Sequence, residues 1–270
     1  MRTVDEYEGS PRMRVEELCQ DLVAERVDLF ALVDGLDEAG WDTPTPAPGW
    51  TVRDQCSHLA WFDDAARQSI EDPEAFTAHR AEVLEHAETF IDGVRDEHAG
   101  RPGAEVRAWL AQAGDRLVAA ARAADPSARV PWYGPDMSVA SSITARIMET
   151  WAHGQDVADA LGVTRPESDR LRHVAFIGWR AVPNSFLAQG RDVPDAPIRV
   201  EAGDVVLGDE GAADVVRGSL LDFCLVVTQR RHPDDTDLVA EGPVATEWLS
   251  IAQAFAGPPG PGREPGQFDS

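Results

Sequence analysis

The chain has 270 residues, 43% of them hydrophobic, and its 48 acidic and 24 basic residues give a formal net charge of −24. That length and composition suit a folded protein of one large domain or two smaller ones, not a disordered chain. So acidic a surface repels phosphate backbones and anionic lipid, which argues against nucleic acid and the membrane as partners. No apolar run approaches the roughly 18 residues of a membrane helix. Residues 1–12 lack the basic and apolar regions of a signal peptide and read as a flexible tail. Cys19, Cys56 and Cys224 are odd in number and lack CxxC spacing, so neither a disulfide framework nor a cysteine zinc site is expected. The expectation is a reduced, cytoplasmic protein whose metal ligands, if any, are histidine and carboxylate.

In chain order, apolar residues from Val15 through Leu18, Leu22 and Phe30 recur at helical spacing and predict a helix over 13–36. Three prolines and a glycine make 43–50 a structured loop. Thr51 is the natural N-cap of the next helix, 52–70, with Asp54 in the capping-box position. A charged helical segment over 73–99 and a helix over 104–124 follow. Residues 125–135 hold three more prolines and the pair Trp132–Tyr133, and read as a loop. A strongly periodic helix over 138–161 then ends at Gly162, where a left-handed residue is wanted. Several long helices without a strand signal imply a helix bundle.

After Pro166 the character changes. A helix over 168–189 leads to the alternating segment 198–207 around Gly203-Asp204, a hairpin signature. A helix over 212–230, a short strand near 238–240 and a helix over 244–256 complete a small α+β domain. The Pro/Gly-rich tail 258–270 reads as disordered. The expected organisation is therefore a tail 1–12, a bundle 13–165, an α+β domain 166–257 and a tail 258–270.

The chemistry-bearing helix is the periodic one. At about 100° per residue, Glu149, His153 and Asp156 fall within a sector of roughly 60°. A carboxylate and an imidazole one turn apart can converge on one cation, with Asp156 orienting His153; equally, such a pair can be a plain hydrogen bond. His58 lies among Cys56, Leu59 and Phe62; taken alone, such an imidazole is more often a core histidine bonded to a carbonyl. Asp54 reads as a cap. His79, His86, His98, His173 and His232 read as solvated.

Together, PGWTVRDQCSHLAWFD (48–63) and METWAHGQDVADALG (148–162) resemble the mycothiol-dependent maleylpyruvate isomerase family, within the DinB-like superfamily of metal-binding bundles. The resemblance extends to the helix-to-arginine pattern after Gly218. It implies a mostly α chain, a DinB-like four-helix bundle followed by a small α+β domain. It also implies one divalent metal, Zn²⁺, on His58, Glu149 and His153, and an arginine, Arg230 or Arg231, for a substrate carboxylate. The implied activity joins a small-molecule substrate to a low-molecular-weight thiol, mycothiol, either isomerising an unsaturated acid or, as a thiol transferase, stopping at the adduct. A non-catalytic metal-binding protein is the remaining alternative.

Overall fold

The computed structural model describes residues 11–257, 259–260 and 262–268, and these fall into two units that divide between Arg165 and Pro166. Most of the tail expected at 1–12 lies outside the described residues.

The first unit contains α1 (Pro11–Val33), α2 (Glu38–Trp41), α3 (Val52–Glu71), α4 (Pro73–Leu84), α5 (Ala87–His98), α6 (Gly103–Ala123), β1 (Arg129–Val130), β2 (Met137–Ser138) and α7 (Val139–Ala160). The long helices α1, α3, α6 and α7 form the four-helix bundle: α3 packs on α6 and α7, and α1 on the same two. Two apolar clusters fill it. One joins Leu18 and Leu22 of α1 to Leu117 of α6 and to Ile143 and Ile147 of α7. The other joins Leu29 to Cys56 and Leu59 of α3, Leu110 of α6 and Val157 of α7. Each such side chain, removed from water, contributes about 1.5–3 kcal/mol, so these stripes hold α3 against α7. No described helix is long and apolar enough to cross a membrane.

Local signals set the entry to α3. The Thr51 hydroxyl accepts from the Asp54 amide while the Asp54 carboxylate accepts from Thr51 N–H at 2.8 Å, a complete capping box. Thr51→Ala is expected to cost about 1 kcal/mol, with Thr51→Ser near wild type in urea unfolding; equal midpoints for the two would contradict this role.

Two sequence expectations in this unit need correction. The helix expected over 73–99 is two, α4 and α5, broken at Glu85–His86. The break lets both halves lay a ring, Phe76 and Phe90, on Tyr133. The loop expected over 125–135 contains β1, paired antiparallel with β2 as Arg129↔Ser138 and Val130↔Met137. Strands of two residues carry no alternation to read.

The second unit contains α8 (Leu171–Arg180), α9 (Val182–Ala188), β3 (Ile198–Ala202), β4 (Val205–Leu207), β5 (Asp214–Gly218), α10 (Leu220–Val227), β6 (Val239–Glu241) and α11 (Pro243–Ile251). Its sheet has the order β4-β3-β5-β6, with β3 and β5 parallel and the outer pairings antiparallel. The hairpin turns at Gly203, whose φ of 59° lies in the left-handed region, as its Gly-Asp sequence predicts. The helix expected over 168–189 is broken at Ala181, because Pro183 stands at the first turn of α9, where its missing N–H costs nothing. The helix expected over 212–230 is instead β5 followed by α10. Val215 and Val216 are β-branched and pair with β3, and Ser219 caps the helix by accepting from Asp222 N–H at 3.0 Å. Tail residues expected to be disordered include Phe268, whose ring lies 3.6 Å beneath the Arg231 guanidinium.

Candidate metal centre

The bundle places His58 on α3 opposite Glu149 and His153 on α7. One ligand atom from each lies within 4.8 Å of the others. His153 Nε2 is 3.3 Å from Glu149 Oε2, and the two side chains are 12% and 22% exposed, so the group is sheltered yet reachable. The His58 and His153 rings lie 4.5 Å apart, centroid to centroid.

The second nitrogen of His153 is also engaged: Nδ1 is in short hydrogen-bond contact with Gln55 Oε1. Gln55 Nε2 in turn donates to Thr45 Oγ1 at 2.9 Å, and Thr45 Oγ1 donates to the Trp50 carbonyl at 3.0 Å. With Nδ1 held by an acceptor, a neutral imidazole presents the Nε2 lone pair to the Glu149 carboxylate. Two acceptors facing each other at 3.3 Å repel unless a proton or a metal cation stands between them. Two imidazole nitrogens and a carboxylate oxygen are donors that suit Zn²⁺ and similar divalent ions, so the residues fit the metal.

The proline-rich loop closes over this group. A bridge joins Pro44 to Thr51, and Thr45 N–H donates to Trp50 O at 2.7 Å. The Trp50 indole consequently stacks on His153 at 6.1 Å and meets His58 edge-on at 5.3 Å. Phe62 covers another side of His58, with ring centroids 4.5 Å apart.

A buried ion pair ties the two ligand-bearing helices together. Arg146 Nε donates to Asp63 Oδ1 at 2.8 Å, with side chains 3% and 1% exposed. Arg146 also reaches the Leu59 carbonyl, next to His58. Arg146 precedes Glu149 by one turn, so the pair supports the register in which α3 and α7 meet.

Other sequence expectations fare differently. Asp54 is occupied as the cap of α3. Asp156 is buried, and the contacts of the two His153 ring nitrogens described above are with Gln55 and Glu149. Arg230 and Arg231 belong to the second unit, just past α10. There Arg230 Nη1 donates to the Thr228 carbonyl and Arg231 Nη1 to the Arg230 carbonyl. The residue before them, Gln229, has a φ of 59°, the one non-glycine residue so recorded among those described. His98 and His173, expected to be solvated, are buried; His98 packs edge-on against Trp109 at 4.8 Å. Gln55 itself escaped the sequence reading. The available signal was its position one turn before His58, on the same helical face.

All three cysteines are buried. Burial pushes the Cys19 thiol up to about 11, the Cys56 thiol up to about 12 and the Cys224 thiol well above its ordinary value. Cys56, two residues from His58, is thus a core side chain and not a thiolate.

Residues 22–158 match the family model for the mycothiol maleylpyruvate isomerase N-terminal domain. Uncharacterized proteins from two strains of Mycobacterium tuberculosis are 44% identical over 249 residues, covering 90% of this chain and 96% of theirs. Among solved structures, the mycothiol-dependent maleylpyruvate isomerase superposes with a TM-score of 0.60 at 17% identity. That match covers 85% of this chain and 96% of the other. A histidine-to-alanine mutant of that isomerase gives a TM-score of 0.59 over the same shares.

Proposed function

The chain belongs to the mycothiol maleylpyruvate isomerase family, and on that premise we propose that it is a metal-dependent enzyme using mycothiol to isomerise an unsaturated acid of the maleylpyruvate type. The observation that carries the reading is the convergence of His58, Glu149 and His153 from two helices into a sheltered cluster that fits a divalent ion. When bound, Zn²⁺ would supply Lewis acidity, lowering the pKa of a thiol at its open position. The chain's own residues do the rest. His58, Glu149 and His153 hold the ion, and Trp50 and Phe62 shield the imidazoles from water. The thiol comes from outside, because burial leaves no cysteine of this chain as a ready thiolate.

In the proposed reaction the thiolate sulfur bonds to one carbon of the activated double bond, turning it into a single bond. Rotation follows, and re-forming the double bond expels the same thiolate, so the thiol is regenerated and no oxidant is needed. The test is incubation of metal-loaded protein with maleylpyruvate, with and without mycothiol, following formation of the trans isomer. Conversion is expected only with both thiol and metal, and a strong chelator is expected to reduce it to background. A stable thiol adduct in place of the isomer would reassign the protein as a thiol transferase. Loaded protein inert with both reactants would overturn the isomerase reading.

A further inference from the structure

We propose that Gln55 is a positioning residue for the metal centre, holding His153 in the tautomer and ring orientation that aim Nε2 at the ion. The inference rests on the metal-site reading above and extends it to the residues that orient a ligand.

The polarity of the hydrogen-bond chain carries it. The Thr45 hydroxyl has one proton, which it donates to the Trp50 carbonyl at 3.0 Å, so its oxygen accepts from Gln55 Nε2 at 2.9 Å. An amide has one donating end and one accepting end. With Nε2 committed to Thr45, Oε1 faces His153, and His153 Nδ1 must carry the proton. A neutral ring protonated there has its lone pair on Nε2, on the side of Glu149. Flipping the Gln55 amide would set its oxygen against the Thr45 oxygen and turn an N–H towards Nδ1, forcing the ring proton onto Nε2. Gln55 is fully buried, so water cannot repair the mismatch at Thr45. Trp50, whose carbonyl ends the chain, also stacks on His153, so one loop fixes both tautomer and tilt. This gives the proline-rich segment 43–50 a role in the site: it carries the far end of the chain that orients a ligand from α7.

The test is Co²⁺ titration of the metal-free full-length protein, reading the visible absorption of the bound ion and the affinity by chelator competition. Wild type is expected to bind with a low-coordinate spectrum. Gln55→Leu is expected to weaken binding about 10–100-fold and to alter the spectrum, the usual effect of losing an orienting partner. Gln55→Glu keeps an acceptor on Nδ1, the Thr45 hydroxyl turning from the Trp50 carbonyl to donate to the second carboxylate oxygen, and is expected to keep the wild-type spectrum. Thr45→Val releases the amide and is expected to weaken binding less than Gln55→Leu, whereas Thr45→Ser matches wild type. Wild type that takes up no Co²⁺ would remove the metal reading itself. Wild-type binding with unchanged affinity and spectrum in Gln55→Leu would overturn the positioning role alone. Should Gln55→Leu fail to fold, the Thr45 pair decides: equal Co²⁺ binding by Thr45→Val and Thr45→Ser overturns the role.

Discussion

Alanine at His153 or at His58 is expected to lower the metal content of the purified protein from roughly one ion per chain to background. Each substitution removes one of three ligands, and the two that remain hold a divalent ion too loosely to survive dialysis. The two variants probe different helices. His153→Ala leaves the α3 side of the site, whereas His58→Ala leaves the Glu149–His153 pair of α7 intact. Loss in both variants is the signature of one ion shared between α3 and α7. Elemental analysis beside circular dichroism makes the measurement, and full metal content in either variant would remove that residue from the site. The half-sheltered placement of these side chains suits the experiment, since neither imidazole belongs to the apolar clusters that hold the bundle together.

Breaking the Asp63–Arg146 pair is expected to cost far more stability than any change in the ligands. Removing one partner of a buried ion pair leaves an uncompensated charge and typically costs about 3–5 kcal/mol. The loss is expected to be unequal. Arg26, also buried, lies within the influence of both Asp63 and Arg146: burial lowers the pKa of its guanidinium, while the Asp63 carboxylate raises it. Asp63→Ala therefore leaves the Arg146 guanidinium without its carboxylate beside the like charge of Arg26, which keeps the attraction of Asp115. Arg146→Met leaves Asp63 the longer-range attraction of Arg26. Urea unfolding should place Asp63→Ala below Arg146→Met, and both well below wild type. Replacing both residues with apolar side chains of similar volume is expected to recover most of the loss, because the pair must first repay its own desolvation. A single variant within about 1 kcal/mol of wild type would show that water or Arg26 already satisfies the remaining charge.

Much of the bundle is legible in the letters, and for a local reason. The apolar spacing of the long helices, the Thr51–Asp54 capping box and the Gly203-Asp204 turn involve residues at most four apart. Their geometry follows from backbone dihedrals and short-range hydrogen bonds. The errors lie where a distant partner decides. Val215 and Val216 lie in a short apolar run over which helix and strand compete closely, and β3, which captures them, pairs from outside that window. The single helices expected over 73–99 and 168–189 bend where packing rewards a turn or where Pro183 withdraws a donor.

The site divides the same way. By itself the sequence determined that Glu149 and His153 share a helix face, since four residues span one turn wherever that helix lies. It did not determine that His58 joins them: on its own terms His58 was a core histidine, and only the family resemblance linked it to α7. The tertiary structure decided that α3 faces α7, bringing His58 to His153 and Asp63 to Arg146. It also brought Gln55 to His153, a contact spanning 98 residues. Such pairings are set by how apolar stripes from separate helices bury one another, a property of the packed bundle that no local window contains.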